Sequence, residues 1–390
     1  MRRVPAVLAA LALAALVAGA GYKLAHKTSE TAEPAARQTA PAKIKSSPEL
    51  AASYLVAGDV FWGRGVDFFA QQTPQKYDWP FSRLNEFNPQ GYDGWLANME
   101  CPVSDIQVPI SLQTNSLIFS CSPKYLPAAS KYFTAFTLAN NHMGNVGAQG
   151  LADTRSNLAK YGIQFFGDYD LGQTDNLCDV VALKAKVNGR DVQLPIAMCG
   201  YHWLSRMPTD TELAQISRYA QYFPVWVFPH GGTEYATHSN AQQDALYRKM
   251  IDLGADAVFG SHPHYVQETE AYHGKLIVYD FGDMIFDQWF DSEVTKSLIV
   301  NAKVSAAVDS NLQKYLDMAS GCAKYKDSCL QTAKEEGLKK YALKYSYGII
   351  SGERSTDKLN DRVTHPGSQA TQDWLLKRTN WVSVSAALNQ

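Results

Sequence analysis

Residues 256–264 read Asp256-Ala257-Val258-Phe259-Gly260-Ser261-His262-Pro263-His264, so that a short apolar strand candidate runs directly into two histidines. In an extended or turning backbone, a His-x-His pattern projects both imidazole rings to the same side of the chain. Neutral imidazole is a good ligand for Zn, Fe, Mn and Ni. The stretch therefore predicts part of a metal site at a strand end, with two ordinary polar loop histidines as the alternative.

Earlier strand candidates also end in polar residues. They are 53–60 with Asp59, 134–138 before Asn141 and His142, and 224–228 before His230. Amphipathic helical patterns lie between them, at 150–160 and 241–253. This alternation predicts an α/β fold. Ligand sites in such folds gather beyond the carboxyl ends of the strands, where these polar residues fall.

The strand-end residues form a mixed set of carboxylates, amides and histidines. In chain order they are Asp59, Asn98, Glu100, Asn141, His142, His230, His262 and His264. Such a set suits a dinuclear centre, so two divalent ions, Mn, Fe or Zn, are expected. Each residue alone has an ordinary explanation as a turn, cap or surface group. A polar group at each of five consecutive strand ends favours one common site.

The composition of the chain limits the kinds of molecule that it is expected to bind. The chain has 390 residues, 46% of them hydrophobic, which is enough for one large core or two modest ones. Its formal net charge of -2 gives no electrostatic basis for binding nucleic acid, which usually requires a basic domain or face. Nucleic acid is therefore excluded as a partner.

The sequence divides into four segments. Residues 1–26 are expected to be a signal peptide or N-terminal membrane anchor, because two arginines precede a long uncharged run of Ala, Leu and Val. Residues 27–50 are expected to be a disordered linker rich in Pro, Ala and Thr. Residues 51–307 form the main domain, and 308–390 form a more helical C-terminal extension. The protein is then exported, and is either anchored to the cell membrane facing outside or secreted after cleavage.

Six cysteines in an exported chain predict disulfides. Sequence alone leaves 15 complete pairings of six cysteines open. Cys322 and Cys329 lie close together in the chain and are the favoured local pair.

Longer motifs around the strand-end residues resemble the CapA, or poly-γ-glutamate capsule synthesis, family. The matching motifs are Gly58-Asp59-Val60, Asn98-Met99-Glu100, Leu138-Ala139-Asn140-Asn141-His142, His230-Gly231-Gly232-Thr233-Glu234-Tyr235, Gly260-Ser261-His262-Pro263-His264 and Phe281-Gly282-Asp283. They follow the family order across roughly residues 53–307. That family is similar to the calcineurin-like metallophosphoesterases. The likeness implies a four-layer αββα sandwich, in which two mixed β-sheets are flanked by helices.

The resemblance also implies roles for the site residues. By that likeness the first metal is held by Asp59 and His264, the second by Asn141, His230 and His262, with Glu100 bridging the two and His142 as general acid. Arg64 and Asn98 are expected to bind an anion or to support the metal ligands. Glu234 is expected to orient a ligand histidine.

Three positions depart from the pattern of these relatives. The wider phosphoesterase superfamily commonly has Asp-x-His in its first motif, but Phe61 stands two residues after Asp59. Ser261 replaces a histidine, and Asp283 replaces an asparagine. Without a histidine at position 61, the first metal is expected to be weakly held, whereas the changes at Ser261 and Asp283 remove no ligand that the resemblance requires.

The resemblance favours a capsule protein that takes part in making, exporting or anchoring poly-γ-glutamate or a similar anionic extracellular polymer. A hydrolase-type dinuclear site would serve this role, and membrane subunits of a polymer synthase are the expected partners. One alternative is a general exported metallophosphoesterase that acts on a phosphoester substrate. The other is a non-catalytic scaffold subunit of a polymer-export complex.

Overall fold

The computed structural model describes residues 48–322 and 328–389. They belong to one compact unit, Ser47–Gln390. The predicted signal or anchor, 1–26, and all but the end of the predicted linker, 27–50, lie outside the described residues. Within the described part of the chain, no helix is both long and apolar enough to span a bilayer.

The described ranges contain fourteen strands, many of them short runs of apolar residues. They are β1 Glu49–Val60, β2 Gly94–Met99, β3 Phe133–Thr137, β4 Gln164–Phe166, β5 Cys178–Val187, β6 Arg190–His202, β7 Val225–His230, β8 Ala257–Phe259, β9 Thr269–Tyr272, β10 Lys275–Val278, β11 Asp283–Ile285, β12 Lys296–Ala307, β13 Lys344–Glu353 and β14 His365–Pro366. β2 and β7 are buried at every position, as expected of strands that are covered on both faces.

Helices lie between the strands. They are α1 Arg64–Ala70, α2 Ile110–Asn115, α3 Leu126–Ala129, α4 Gly147–Lys160, α5 Asp210–Ala220, α6 Ala241–Asp252, α7 Ser310–Cys322, α8 Ser328–Glu335, α9 Gln369–Arg378 and α10 Trp381–Leu388. Side chains cap the two helices that precede β7 and β8. Thr209 accepts a hydrogen bond from the N–H of Glu212 at the start of α5, and Asn240 accepts two at the start of α6.

The element order expected from the sequence is confirmed. The predicted strands 53–60, 134–138, 224–228 and 257–259 correspond to β1, β3, β7 and β8, and the predicted helices correspond to α4 and α6. The ends shift by a few residues, and β1 begins at Glu49, inside the segment assigned to the linker.

Backbone hydrogen bonds join the fourteen strands into one network with two arms. One edge of β1 pairs with β12, whereas its other edge pairs with β5 at Leu50 and Ala51 and with β2 from Tyr54 onward. The first arm runs β14-β13-β12-β1-β2-β3-β4, with β11 paired to the end of β1, and the second runs β5-β6-β7-β8-β10-β9. Because β1 and β5 share so few positions, the arms separate into two mixed sheets.

The two sheets pack face to face. The Tyr54 ring of the first sheet lies edge-on to Trp226 of the second, with centroids 6.0 Å apart, and Phe166 lies 4.9 Å from Phe228. The outer face of the first sheet packs on α1, α3 and α4, and the second sheet packs on α5 and α6. The four-layer αββα arrangement implied by the resemblance is confirmed.

The C-terminal region is helical, as expected, and it also adds a strand to the first sheet. β13 pairs antiparallel with β12 over ten positions, from Lys344 opposite Ser305 to Glu353 opposite Lys296. Tyr315 of α7 packs on Phe223 with centroids 5.2 Å apart. The Thr379 carbonyl, beside α9, accepts hydrogen bonds from Thr269. The described residues of 308–390 therefore pack on the main body of the fold and extend its first sheet.

All six cysteines are paired. The favoured Cys322–Cys329 pair is confirmed. Cys178–Cys199 joins neighbouring strands β5 and β6, and Cys101–Cys121 closes the segment that contains α2. This last bridge begins at the residue after Glu100, so it restrains the backbone next to the candidate site.

Candidate metal centre

The carboxyl ends of β1, β2 and β7 meet at one edge of the sandwich. Asp59 lies opposite Asn98 across β1 and β2, and opposite Asp283 across β1 and β11. His230 pairs with Ser261 in the turn after β8. Parallel pairing brings the ends of neighbouring strands together, so the residues predicted from separate strand ends converge.

Glu100 occupies the middle of this cluster. Its side chain is fully buried, and no donor group of the described residues forms a hydrogen bond with either carboxylate oxygen. The Nε2 atoms of His142, His230 and His264 each lie 4.0 Å from Glu100 Oε1. Burial, together with the nearby Asp59 carboxylate, raises the pKa of Glu100 well above its ordinary value. A buried carboxylate without partners is costly unless it is protonated or meets a cation.

Three groups of side chains around Glu100 have the composition of metal sites. They are Glu100 with His230 and His262, Asp59 with His264 and Asp283, and Glu234 with His262 and His264. Within each group the ligand atoms lie within 4.8 Å of one another. The buried His262 Nδ1 also has no hydrogen-bond partner among the residues that the structure describes. The partnerless oxygens of Glu100 and the free nitrogen of His262 fit a centre that binds divalent metal ions.

The turn after β8 adopts an unusual backbone to present its histidines. His262 has φ of +108° and His264 has φ of +61°, a region that side-chain-bearing residues rarely enter. The N–H of His262 donates to Asp59 Oδ2 at 3.3 Å. Burial lowers the pKa of His262 well below its ordinary value, so the ring is neutral, as a ligand must be.

His264 is fixed by Asp283, which the sequence marked as a departure, and by Arg354 behind it, which the sequence did not single out. Its Nδ1 lies 2.8 Å from Asp283 Oδ1 and 3.8 Å from Asp59 Oδ2. Burial alone would lower the pKa of His264, but the Asp283 and Asp59 carboxylates outweigh it and the pKa is raised. Arg354, buried directly after β13, donates to the Asp283 carboxylate at 3.3 Å and to its carbonyl at 2.8 Å. Such partners orient a ligand histidine.

Asn98 supports the cluster through hydrogen bonds from both ends of its side-chain amide. Its Nδ2 donates to Asp59 Oδ1 at 2.8 Å, and its Oδ1 accepts from Asn140 Nδ2 at 2.9 Å. Asn140 Oδ1 in turn accepts from the backbone N–H groups of His142 and Met143. The two asparagines thus connect the ends of β1 and β2 to the turn that follows β3. The contact of Asn98 with Asp59, a predicted ligand, is the kind of contact that a supporting residue makes.

Asn141 and His230 face each other. Asn141 Oδ1 lies 2.8 Å from His230 Nε2, and Ser261 Oγ lies 2.9 Å from His230 Nδ1. Burial lowers the pKa of His230 well below its ordinary value, so its ring is neutral. Ser261, which the resemblance marked as a departure, orients the His230 ring.

His142 lies at the open side of the cluster, stacked on Phe119 with ring centroids 3.8 Å apart. Asn145 Oδ1 accepts from the N–H of Phe119 at 2.7 Å, so His142 Nδ1, at 2.9 Å from the same oxygen, is the donor to it. The Nε2 atom that faces Glu100 therefore carries no proton. Burial lowers the pKa of His142 to about 4, which keeps the ring neutral at pH 7.

Arg64 and Glu234 lie at the rim. The Arg64 guanidinium donates two hydrogen bonds to Asp287, at 2.6 and 2.5 Å, and its charge is therefore already paired. The exposed Glu234 belongs to the third ligand group and lines the cleft beside His264. Phe61, at the position of the superfamily histidine, is buried between Phe119 and Phe286 and closes one wall with apolar rings.

Sequence reasoning missed Arg354 and Asn145. It included Asn140 and Asp283 in the quoted motifs but gave them no role at the site. Asn140 and Asn145 flank Asn141 and His142, so their proximity was a usable signal. Arg354 follows Asp283 by 71 residues and belongs to a region with no motif, so nothing in the sequence connects it to the site.

Comparison with known proteins places the chain among proteins of capsule synthesis. The family described as bacterial capsule synthesis protein PGA_cap matches residues 53–288. The chain is 30% identical over 277 residues to the PGA biosynthesis protein CapA of Bacillus subtilis (strain 168), covering 64% of this chain and 67% of that protein. It is 27% identical over 290 residues to the capsule biosynthesis protein CapA of Bacillus anthracis, covering 67% and 65%. The match thus spans about two thirds of each relative. The chain belongs to the family of bacterial capsule synthesis proteins.

Proposed function

We propose that this protein acts in capsule synthesis as a dinuclear metal-dependent hydrolase. The observation that carries the proposal is Glu100, whose buried carboxylate lacks hydrogen bonds and lies 4.0 Å from the Nε2 atoms of three histidines. Two divalent ions, Mn, Fe or Zn, would compensate this charge. Asp59 and His264 would hold one ion. Asn141, His230 and His262 would hold the other, and Glu100 would hold both.

The names of the relatives support the biological setting. One is described as a PGA biosynthesis protein and the other as a capsule biosynthesis protein. We propose that this chain serves the making, export or anchoring of poly-γ-glutamate or a similar anionic polymer, alongside membrane subunits of a polymer synthase. Three disulfides support an exported location, since such bonds persist in oxidising compartments. The N-terminal segment 1–26 would serve as signal or membrane anchor.

The chemistry assigned to the chain's own residues is positioning and proton transfer. Bound divalent ions would polarise the substrate and lower the pKa of water. Asn98, Asp283 and Ser261 hold Asp59, His264 and His230 in place. His142 Nε2 is unprotonated, so it must first accept a proton before it can give one to the leaving group as general acid.

Two observations favour the second candidate, a non-catalytic scaffold. The pKa of His142 is lowered to about 4, which opposes its protonation, and the Arg64 charge is already paired with Asp287. In this alternative the centre binds metal to stabilise the fold within a polymer-export complex.

One experiment separates these candidates. The full-length protein, loaded with Mn, Fe or Zn, is assayed on a phosphodiester, a phosphomonoester and poly-γ-glutamate, with His142→Ala as the test variant and His273→Ala, an exposed histidine, as control. Hydrolysis that falls at least about a hundredfold in His142→Ala alone supports the enzyme. Turnover of the phosphoesters alone supports a general phosphoesterase. Full metal loading without turnover of any substrate supports the scaffold.

A further inference from the structure

A cleft of about 600 Å³ opens beside the candidate metal centre. His142, Glu234 and His264 line its inner end, so a ligand in the cleft reaches the residues proposed to act on it. The volume lies in the range of pockets for small organic molecules.

The outer walls of the cleft are apolar and exposed. Ten large apolar side chains are strongly exposed in the described parts of the chain, and five of them line this cleft. These five are Phe68, Ile110, Leu117, Tyr235 and Phe290. The exposed fraction is 62% for Phe290 and 50% for Leu117. Exposed apolar surface gathered at one site marks a binding surface.

The charges in the cleft do not suit a polyanion. Among the described lining residues, Arg64 is the one permanent cation, and both its hydrogen bonds go to Asp287. Glu234 adds a further carboxylate at the inner end. A chain with a carboxylate on every unit would place negative charge against apolar rings and acids, which costs free energy. A single anionic group could instead lie at the metal centre.

The cleft wall is held in shape. The Cys101–Cys121 bridge closes the segment that carries Ile110, Leu117 and Phe119. Within the segment, Gln113 Nε2 donates to the Val108 carbonyl at 2.8 Å. The N–H of Phe119 donates to Asn145, which also holds His142. The apolar wall and the inner end of the cleft are therefore fixed relative to each other.

We propose that this cleft binds the apolar organic group of a phosphoester whose phosphate lies at the metal centre. The inference rests on the proposed function, and it names the substrate class as a phosphoester of an apolar alkyl or aryl alcohol. The anionic polymer itself is then not the occupant of the cleft. The five exposed apolar side chains and the paired Arg64 carry the proposal.

The test measures binding of phosphonates, which resist hydrolysis. Methyl, hexyl and phenyl phosphonate and a γ-glutamate oligomer are titrated by calorimetry into full-length protein, both metal-loaded and chelator-treated. Loss of methyl phosphonate affinity on chelation tests the proposed function. The ratio of hexyl or phenyl to methyl affinity tests the cleft, and it is measured with and without metal. Comparing the affinities of hexyl and phenyl phosphonate distinguishes an alkyl group from an aryl group as the preferred occupant of the cleft.

We expect hexyl or phenyl phosphonate to bind at least about tenfold tighter than methyl phosphonate, since one buried methylene is worth about fourfold in affinity. Leu117→Ser and Phe290→Ser should reduce that ratio severalfold while metal content stays unchanged. Val382→Ser, an exposed apolar residue of α10 outside the cleft, is the matched control and should leave the ratio intact. Equal affinities of the three phosphonates would overturn the proposal. Binding of the γ-glutamate oligomer that is lost in Phe290→Ser would also overturn the proposal.

Discussion

Glu100 combines full burial with two partnerless carboxylate oxygens, so its effect on stability depends on what it binds. Burial raises its pKa, so the folded metal-free protein holds a proton that the unfolded chain releases. Metal-free stability should therefore fall as the pH rises from about 4.3, the ordinary glutamate pKa, toward the raised value. The same residue becomes stabilising when cations compensate its charge.

The first prediction concerns Glu100→Gln, which cannot ionise. With chelator present, the parent should lose stability relative to the variant as the pH rises from 5 to 8, because only the parent has a Glu100 carboxyl group that ionises. Added metal should stabilise the parent, by about 2.7 kcal/mol at a hundredfold excess over the Kd, but not the variant. Thermal unfolding at both pH values measures this. A parent that gains nothing from any metal would contradict the assignment.

The second prediction concerns Arg354, which is buried against Asp283 and donates to its carboxylate and carbonyl. Arg354→Met leaves the buried Asp283 carboxylate without its cation and should cost about 3–5 kcal/mol of stability. Metal affinity should also fall, because Asp283 orients His264. Arg354→Lys should restore part of the affinity, and Arg83→Met, at an exposed ion pair, is the control. Unchanged metal affinity in Arg354→Met would make the residue purely structural.

Residue identity at the site was largely predictable because each ligand type follows a recognisable strand. Asp59, Glu100 and His230 come directly after or at the end of apolar runs, and parallel pairing brings those ends together. The charge state of the site was not predictable. Arg64 pairs with Asp287, which lies 223 residues further along the chain, and no local sequence pattern indicates such a contact.

At the scale of elements, the alternation of apolar runs with amphipathic helices predicted β1, β3, β7 and β8. The pattern is visible in the sequence because these strands lie in the buried inner layers of the fold and the helices cover them. The long hairpin β5–β6 carried an unused signal, the dipeptide Asn188-Gly189, with φ of +48° and +80°. β13 also carried a signal, because Tyr345, Tyr347 and Ile349 alternate along the segment, as in a strand with one buried face. Its antiparallel pairing with β12 is set by tertiary contacts.

The third prediction concerns the segment closed by Cys101–Cys121, which spans 20 residues and contains α2. Replacing both cysteines by alanine removes the restraint on loop entropy and should cost about 3 kcal/mol. Chymotrypsin should then cleave at exposed Leu112 or Leu117, which the parent should resist. The Cys322→Ala/Cys329→Ala pair is the matched control. Equal cleavage in all three proteins would show that the disulfide does not hold the cleft wall.

At the scale of the whole molecule, the C-terminal region completes the first sheet and supplies Arg354 to the site. The fourth prediction is that a chain ending at residue 307 fails to fold, because β12 would lose a partner along ten positions and expose apolar surface. Solubility and circular dichroism measure this. A chain that begins at residue 48 retains every described residue of the sheets and is the control. A soluble, folded chain ending at 307 would contradict the account.

The proposed function depends most directly on two metal ions that share Glu100. Metal content per chain is measured by mass spectrometry for the full-length protein and its His264→Ala variant, after loading with Mn, Fe or Zn and removal of free ions. We predict two equivalents in the parent. The variant should retain one, because Asp59 loses its histidine partner while His230 and His262 remain. No bound metal in the parent under any of the three loadings would contradict the central claim.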